Sequence, residues 1–145
     1  MSGILCAIRG GPASQSTIAL AIETAKKHQL PIHFLYIVDL DFLSSTNSAR
    51  LHTISEEMVE MGEFILLATQ TQAEKEGVTA DGFVRHGEVS EEIIALSLEV
   101  GAKYVVLGKP KEEKTNVFTQ ERLQSFAAMI TEKTGAEVLF AERDV

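Results

Sequence analysis

The stretch HGEVSEEIIALSLEVGAKYVVLG, residues 86–108, holds one complete passage from strand to helix to strand. His86 closes a run that begins at Gly82, and Gly87 breaks it. Ser90 is the predicted N-cap of a helix reaching Val100, with Glu91 and Glu92 in its first turn, where carboxylates complement the positive end of the helix dipole. Gly101 ends that helix. Lys103 to Leu107 is then a short, almost wholly apolar strand that breaks at Gly108. A strand–helix–strand passage of this length makes the two strands parallel, because antiparallel partners need only a hairpin.

The pattern repeats outward in both directions. Upstream, residues 3–9 form a strand that stops at Gly10-Gly11-Pro12. Ile18, Ala21, Ile22 and Ala25 then carry helical spacing within Ser14–His28. Pro31 opens a second strand, Ile32 to Val38, whose near-continuous hydrophobicity predicts burial on both faces. Residues 39–53 are irregular and include the polar tract Ser44 to Ser48, read as a surface loop, with a lid or a phosphorylation target as the other reading. A helix is expected from about Ser55 to Glu76, with Met58, Met61, Ile65 and Ala68 as its core stripe and Gly77 at its C-cap. Downstream, 109–118 is a charged loop. Leu123, Phe126, Ala127 and Ile130 mark a further helix closed by Gly135, and Glu137 to Ala141 is a fifth strand. Residues 1–145 therefore read as a single α/β domain: a Rossmann-like, flavodoxin-like five-stranded parallel sheet in the order 3-2-1-4-5, with helices on both faces.

The 145 residues contain 13 Lys and Arg against 21 Asp and Glu, a net charge of −8, with 45% apolar residues. A chain of this size buries roughly 68–70% of its unfolded surface as one domain. Acidity argues against a nucleic-acid partner, since non-specific binding needs clustered cations to neutralise phosphates. The lone Cys6 permits neither an intrachain disulfide nor a cysteine zinc cage and is read as an inert core thiol in a reducing compartment. The first residues lack a basic region and hold only five consecutive apolar residues, so no signal peptide is expected. No stretch has the length of a membrane span. The expected setting is cytoplasmic, without membrane contact.

In open parallel sheets, ligands settle beyond the carboxyl ends of the strands where strand order reverses. In this order, that crevice lies between the first and fourth strands. Arg9, Gly10 and Gly11 would wall one side and Gly108, Lys109 and Lys111 the other, with Val38 nearby. The plainer alternative is that Gly10 and Gly108 only terminate strands. His28, His33, His52 and His86 are scattered and form no metal-ligand spacing, and His86 on the rim is read as a turn or hydrogen-bonding residue. No nucleophile elbow, P-loop or dinucleotide fingerprint is present, which disfavours a hydrolase on this scaffold.

The order and spacing of these pieces resemble the universal stress protein family over nearly the whole chain. His86 to Ile94 followed by Gly101 to Gly108 is similar to its Gly-x-Pro-x-Glu-Glu-Ile and Gly-Ala-Asp-hydrophobic-Gly patterns, and Tyr36-Ile37-Val38-Asp39 is similar to the ending of its second strand. The resemblance implies a site for ATP built from Gly-x2-Gly-x9-Gly-Ser/Thr after the fourth strand and an Asp at the end of the first. Only Gly108 matches. The other positions fall on Lys111, Glu121, Arg122 and Arg9. A carboxylate about 4 Å from a phosphate costs about 4 kcal/mol at an effective dielectric near 20. That removes half of the roughly 8 kcal/mol behind micromolar affinity. The chain thus resembles the subgroup that does not bind ATP. It is expected to act as a stress-response binding module, with no catalysis, cofactor or metal.

Two expectations complete this reading. Arg9, Lys109 and Lys111 offer a cationic crevice for a small anion, an acidic protein partner or a weakly held nucleotide such as AMP, a cyclic nucleotide or ATP, or else they are solvated loop charges. The fifth strand, with Val138, Leu139, Phe140 and Ala141, is an apolar sheet edge, and the family resemblance implies a homodimer formed through it.

Overall fold

The computed structural model describes residues 3–8, 14–38, 48–108 and 117–141, leaving aside the side chains of 48, 49 and 117–120. The elements run β1 (Gly3–Ile8), α1 (Ser14–His28), β2 (Ile32–Val38), α2 (Ser48–Lys75), β3 (Ala80–His86), α3 (Val89–Val100), β4 (Ala102–Gly108), α4 (Val117–Thr134) and β5 (Glu137–Ala141). All four strand pairings are parallel and the order is β3-β2-β1-β4-β5, as the sequence predicts.

Alternation along the strands divides the interior into two layers. Ile4, Cys6 and Ile8 of β1 face one side with Phe34 and Tyr36, beneath Ile18 and Ile22 of α1 and Leu66 of α2. Leu5 and Leu35 face the other side, with Val105, beneath Ile93 and Leu96 of α3 and Ile130 of α4. Ile4, Leu5, Cys6, Phe34, Leu35, Val105 and Val106 are all fully buried, which is why the central strands lack the polar alternation of a half-exposed sheet. Burial raises the Cys6 thiol pKa far above its ordinary value and keeps it protonated, as expected of an inert core cysteine.

Helix ends follow the predicted glycines. Gly77, Gly101 and Gly135 all take positive φ, and the Val78 and Gly77 amides close α2 onto the Ala73 and Glu74 carbonyls. The start of α3 differs from the expectation. Its N-cap is Glu88, whose carboxylate accepts the Glu91 amide at 2.9 Å, while Ser90 lies inside the first turn and donates its hydroxyl to Glu88. Those two bonds hold the Glu88 carboxyl below its usual pKa, the serine hydroxyl contributing most.

The helix after β2 departs further. It begins at Ser48, not near Ser55, so Ser48 to Thr53 is helical where irregular chain was expected. Its buried side is also rotated from the predicted stripe. Gly62, Leu66, Thr69 and Ala73 face the sheet, with Met58 and Ile65 packed at the margin, whereas Met61 and Ala68 are exposed. The rotation is about a quarter turn at 100° per residue. Its cause is local: a Cβ at Gly62 would lie 2.5 Å from the Tyr36 ring, so the glycine lets α2 settle on that ring. Thr69 is buried without penalty because its hydroxyl donates to the Ile65 carbonyl at 2.8 Å.

A second close approach joins β4 to α1. A Cβ on Gly108 would fall 2.7 Å from the Thr17 hydroxyl oxygen, and Thr17 is 3% exposed. Gly108 therefore does more than end a strand.

These two contacts give two tests by urea unfolding. Gly62→Ala should lose about 1–2 kcal/mol of stability to overpacking, despite a helix-propensity gain of about 1 kcal/mol. In a Tyr36→Leu background the same change should stabilise. Gly108→Ala should cost about 1–3 kcal/mol, and much less once Thr17→Ala has removed the hydroxyl.

Candidate functional site

β1 and β4 are adjacent, yet their chains leave in opposite directions, β1 through α1 toward β2 and β4 through α4 toward β5. Their carboxyl ends at Ile8 and Gly108 therefore bound the predicted crevice. Gly108 and Thr17 make its floor, since the first turn of α1 lies against the end of β4. Thr17 and the buried Ser14 were not foreseen as crevice residues. Their only sequence signal is a pair of small hydroxyl residues opening a helix face that is otherwise apolar but for Thr24.

Val38 stands two strand spacings from Gly108, roughly 10 Å across the sheet. It closes the β2 side, but its side chain belongs to the core and is 1% exposed. Its carbonyl accepts the Gly87 amide at 3.1 Å, fastening the end of β2 to the turn before α3. The remaining crevice candidates, Arg9, Gly10, Gly11, Lys109 and Lys111, lie outside the described residues, as does the tract from Ser44 to Asn47. Glu121 and Arg122 are described. Both are exposed and lie beyond the start of α4 at Val117. Only the first four amides of a helix lack an intrahelical acceptor, so those of Glu121 and Arg122 fall at or past the point where the helix's own ladder takes them.

The helix N-termini at this rim differ in charge. α3 fills its own positive end with Glu88, Glu91 and Glu92. The first turns of α1 and α4 carry no acidic residue. The two helices that flank the switch point thus keep a field that favours an anion, whereas the neighbouring one is already neutralised.

Farther along the rim, the Ser55 hydroxyl is 3.2 Å from Nε2 of His86, which fits the hydrogen-bonding reading of that histidine. His52 pairs with Glu56 at 2.9 Å, and His33 Nδ1 lies 2.7 Å from the Asp81 carboxylate at the amino-terminal end of the sheet. Among the described residues, no group of three or more His, Cys, Asp or Glu side chains is arranged to hold a metal ion. No helix among them is long and apolar enough to cross a membrane.

At the predicted dimer edge, β5 pairs with β4 along one side only. Val138 and Phe140 pack toward the α3–α4 layer and Leu139 toward the α1–α2 layer, each half-buried, and Ala141 is buried. The opposite edge, β3, runs unbroken through Gly82, which lies against Leu66 and Gln70 of α2, and carries Asp81 and Arg85, whose guanidinium grips Glu99 through two 3.0 Å hydrogen bonds.

The architecture matches solved structures. A universal stress protein family member from Burkholderia pseudomallei is 21% identical, with a TM-score of 0.69 over 96% of this chain and 94% of that one. A universal stress protein from Archaeoglobus fulgidus in complex with dAMP is 16% identical, with a TM-score of 0.67 over 98% of each chain. A universal stress protein in complex with cAMP is 16% identical, with a TM-score of 0.69 over 99% and 98%. No curated protein matches the chain in sequence. These likenesses show the fold. The lineage follows from a family model described as "Universal stress protein family", which matches residues 1–139: the chain belongs to the universal stress protein family.

Proposed function

We propose that this protein is a cytoplasmic stress-response module that works by binding and does not hydrolyse ATP. The observation that carries the reading is the position of Glu121 and Arg122. They stand where the family resemblance expects a Gly-Ser/Thr phosphate cradle, yet α4 has already begun at Val117. Amides committed to a helix cannot wrap a triphosphate, and the Glu121 carboxylate repels one. This supports placing the chain with family members that lack the ATP glycine motif.

A second reading is favoured by a specific observation. The acid-free first turns of α1 and α4 flank the switch point, and two neighbours of the same fold were solved with dAMP and cAMP. On this reading the crevice takes a small anion or a nucleoside monophosphate weakly, with Gly108 and Thr17 at its floor, Val38 closing the β2 side, and Arg9, Gly10, Gly11, Lys109 and Lys111 as the candidate contacts that the sequence supplies.

The protein acts as a two-fold homodimer through β5. The contrast between the two sheet edges supports this: β3 is guarded by the charges of Asp81 and Arg85, while β5 presents Val138, Leu139 and Phe140 after a single Glu137.

Isothermal titration should find ATP binding no tighter than about millimolar, a roughly thousandfold loss for a 4 kcal/mol repulsion. Micromolar ATP binding, or phosphate release from ATP, would refute the main reading. Heat from AMP or phosphate would establish the second reading, and none from either would remove it. Phe140→Lys should convert a dimer to a 15.8 kDa monomer in light scattering while the circular dichroism is unchanged. A folded variant that stays dimeric places the interface elsewhere.

A further inference from the structure

α2 is 28 residues long, about 42 Å at 1.5 Å per residue, and only one side of it meets the sheet. On the side facing away from Gly62, Leu66 and Ala73, three large apolar side chains stand in solvent: Phe64 at 74% exposure, Leu67 at 65% and Met61 at 57%. At 100° per residue, these three with Ala68 and Thr71 fall within an arc of about 120° centred on Phe64. Scattered apolar residues on a surface need no explanation, but a contiguous stripe at helical spacing marks a contact face.

The charges beside the stripe say what would cover it. From Thr53 to Ala73 the helix carries Glu56, Glu57, Glu60 and Glu63 and no Lys or Arg. On the helical wheel Glu56 and Glu63 lie along one flank of the stripe, Glu60 lies within the stripe on that same side, and Glu57 lies near its centre one turn before Met61, while the opposite flank holds the uncharged Ile54, Ile65 and Gln72. The uncharged flank faces α1, where Gln72 lies 3.4 Å from Gln15. The acidic flank looks outward over the β3 edge. A second copy docked antiparallel by a two-fold axis would set this glutamate flank against itself, and a parallel copy would leave the carboxylates facing Ile54 and Ile65. An anionic membrane would be repelled.

We propose that the outer face of α2 is a docking surface for a basic amphipathic helix on another protein. Phe64 is its central anchor, Met61 and Leu67 extend the contact along the axis, and Lys or Arg residues of the partner pair with the glutamate flank. The apolar stripe supplies the affinity and the one-sided acid supplies orientation and choice of partner. The surface is separate from the crevice between β1 and β4, so it stands whether or not that crevice holds a ligand.

The test uses the full-length protein and a fluorescent 18-residue Leu/Lys amphipathic peptide as probe, with a Leu/Glu peptide of the same pattern as comparison. Fluorescence anisotropy should show micromolar binding of the Leu/Lys peptide, weaker in high salt, and none of the Leu/Glu peptide. Because Phe64 is exposed, Phe64→Ser should leave the circular dichroism unchanged yet weaken binding at least tenfold. Glu60→Lys with Glu63→Lys should do the same, whereas Glu132→Lys with Glu91→Lys, an equal change of charge elsewhere, should change binding less than twofold. Equal losses for the two charge-reversed pairs would reduce the effect to net charge and overturn the proposal. So would Phe64→Ser leaving affinity unchanged, or no binding by the unaltered protein. If Phe64→Ser instead lowers the oligomer mass, the occupant is a second copy, and if it abolishes binding to phosphatidylserine vesicles, the occupant is a membrane. Either result replaces the proposal.

Discussion

β1 is hydrogen-bonded to parallel neighbours on both sides, and both of its faces are packed beneath helices, with Ala7 alone partly exposed. That double enclosure governs the rest of the molecule. A strand buried on both faces needs a helical layer above and below, and parallel neighbours force each connection to cross the sheet through a helix. With β2 on one side and β4 on the other, the connections diverge at the carboxyl end of β1, and the crevice lies at that divergence. The crevice is thus a by-product of how the core is closed, and side chains only decide what it can hold. In this chain the decisive features are the early start of α4, the acid-free helix ends and the tight seat of Gly108 on Thr17.

How much of this was legible in the sequence depended on how each residue is satisfied. The central strands could be read because Ile4 to Ile8 and Val105 to Leu107 need no polar partner on either face. The buried face of α2 could not. Gly62 earns its core position through the absence of a side chain, and Thr69 is admitted by a bond to its own helix, so counting apolar residues turned the predicted stripe toward Met61. The α3 cap was misassigned for a related reason. Glu88 and Ser90 both carry acceptors, and only the point where the chain becomes helical, at Val89, decides which of them caps. In the crevice, Gly108 was visible as a break, while its reason, the hydroxyl of Thr17, is distant in sequence and appears only when α1 folds against β4.

The distribution of charge is more structured than a net value of −8 conveys. Acid is spent where the fold can use it, on the N-terminus of α3 and in the bidentate grip between Arg85 and Glu99, which draws the Glu99 carboxyl below its usual pKa. It is withheld from the N-termini of α1 and α4, and it is concentrated on the outward flank of α2. The proposed anion site at one rim and the proposed docking face on α2 would thus draw on opposite local fields within one acidic chain.

Cys6, the chain's single cysteine, sits midway along β1, fully buried and held in its protonated form. A thiol reagent can reach it only when one of the helical layers lifts and the innermost strand parts from its neighbours. Core strands of this kind open in step with the whole molecule, while helix ends fray far more often. The rate at which Cys6 becomes labelled is consequently a built-in clock for complete opening of the domain, deaf to motion at the surface and readable without adding a probe.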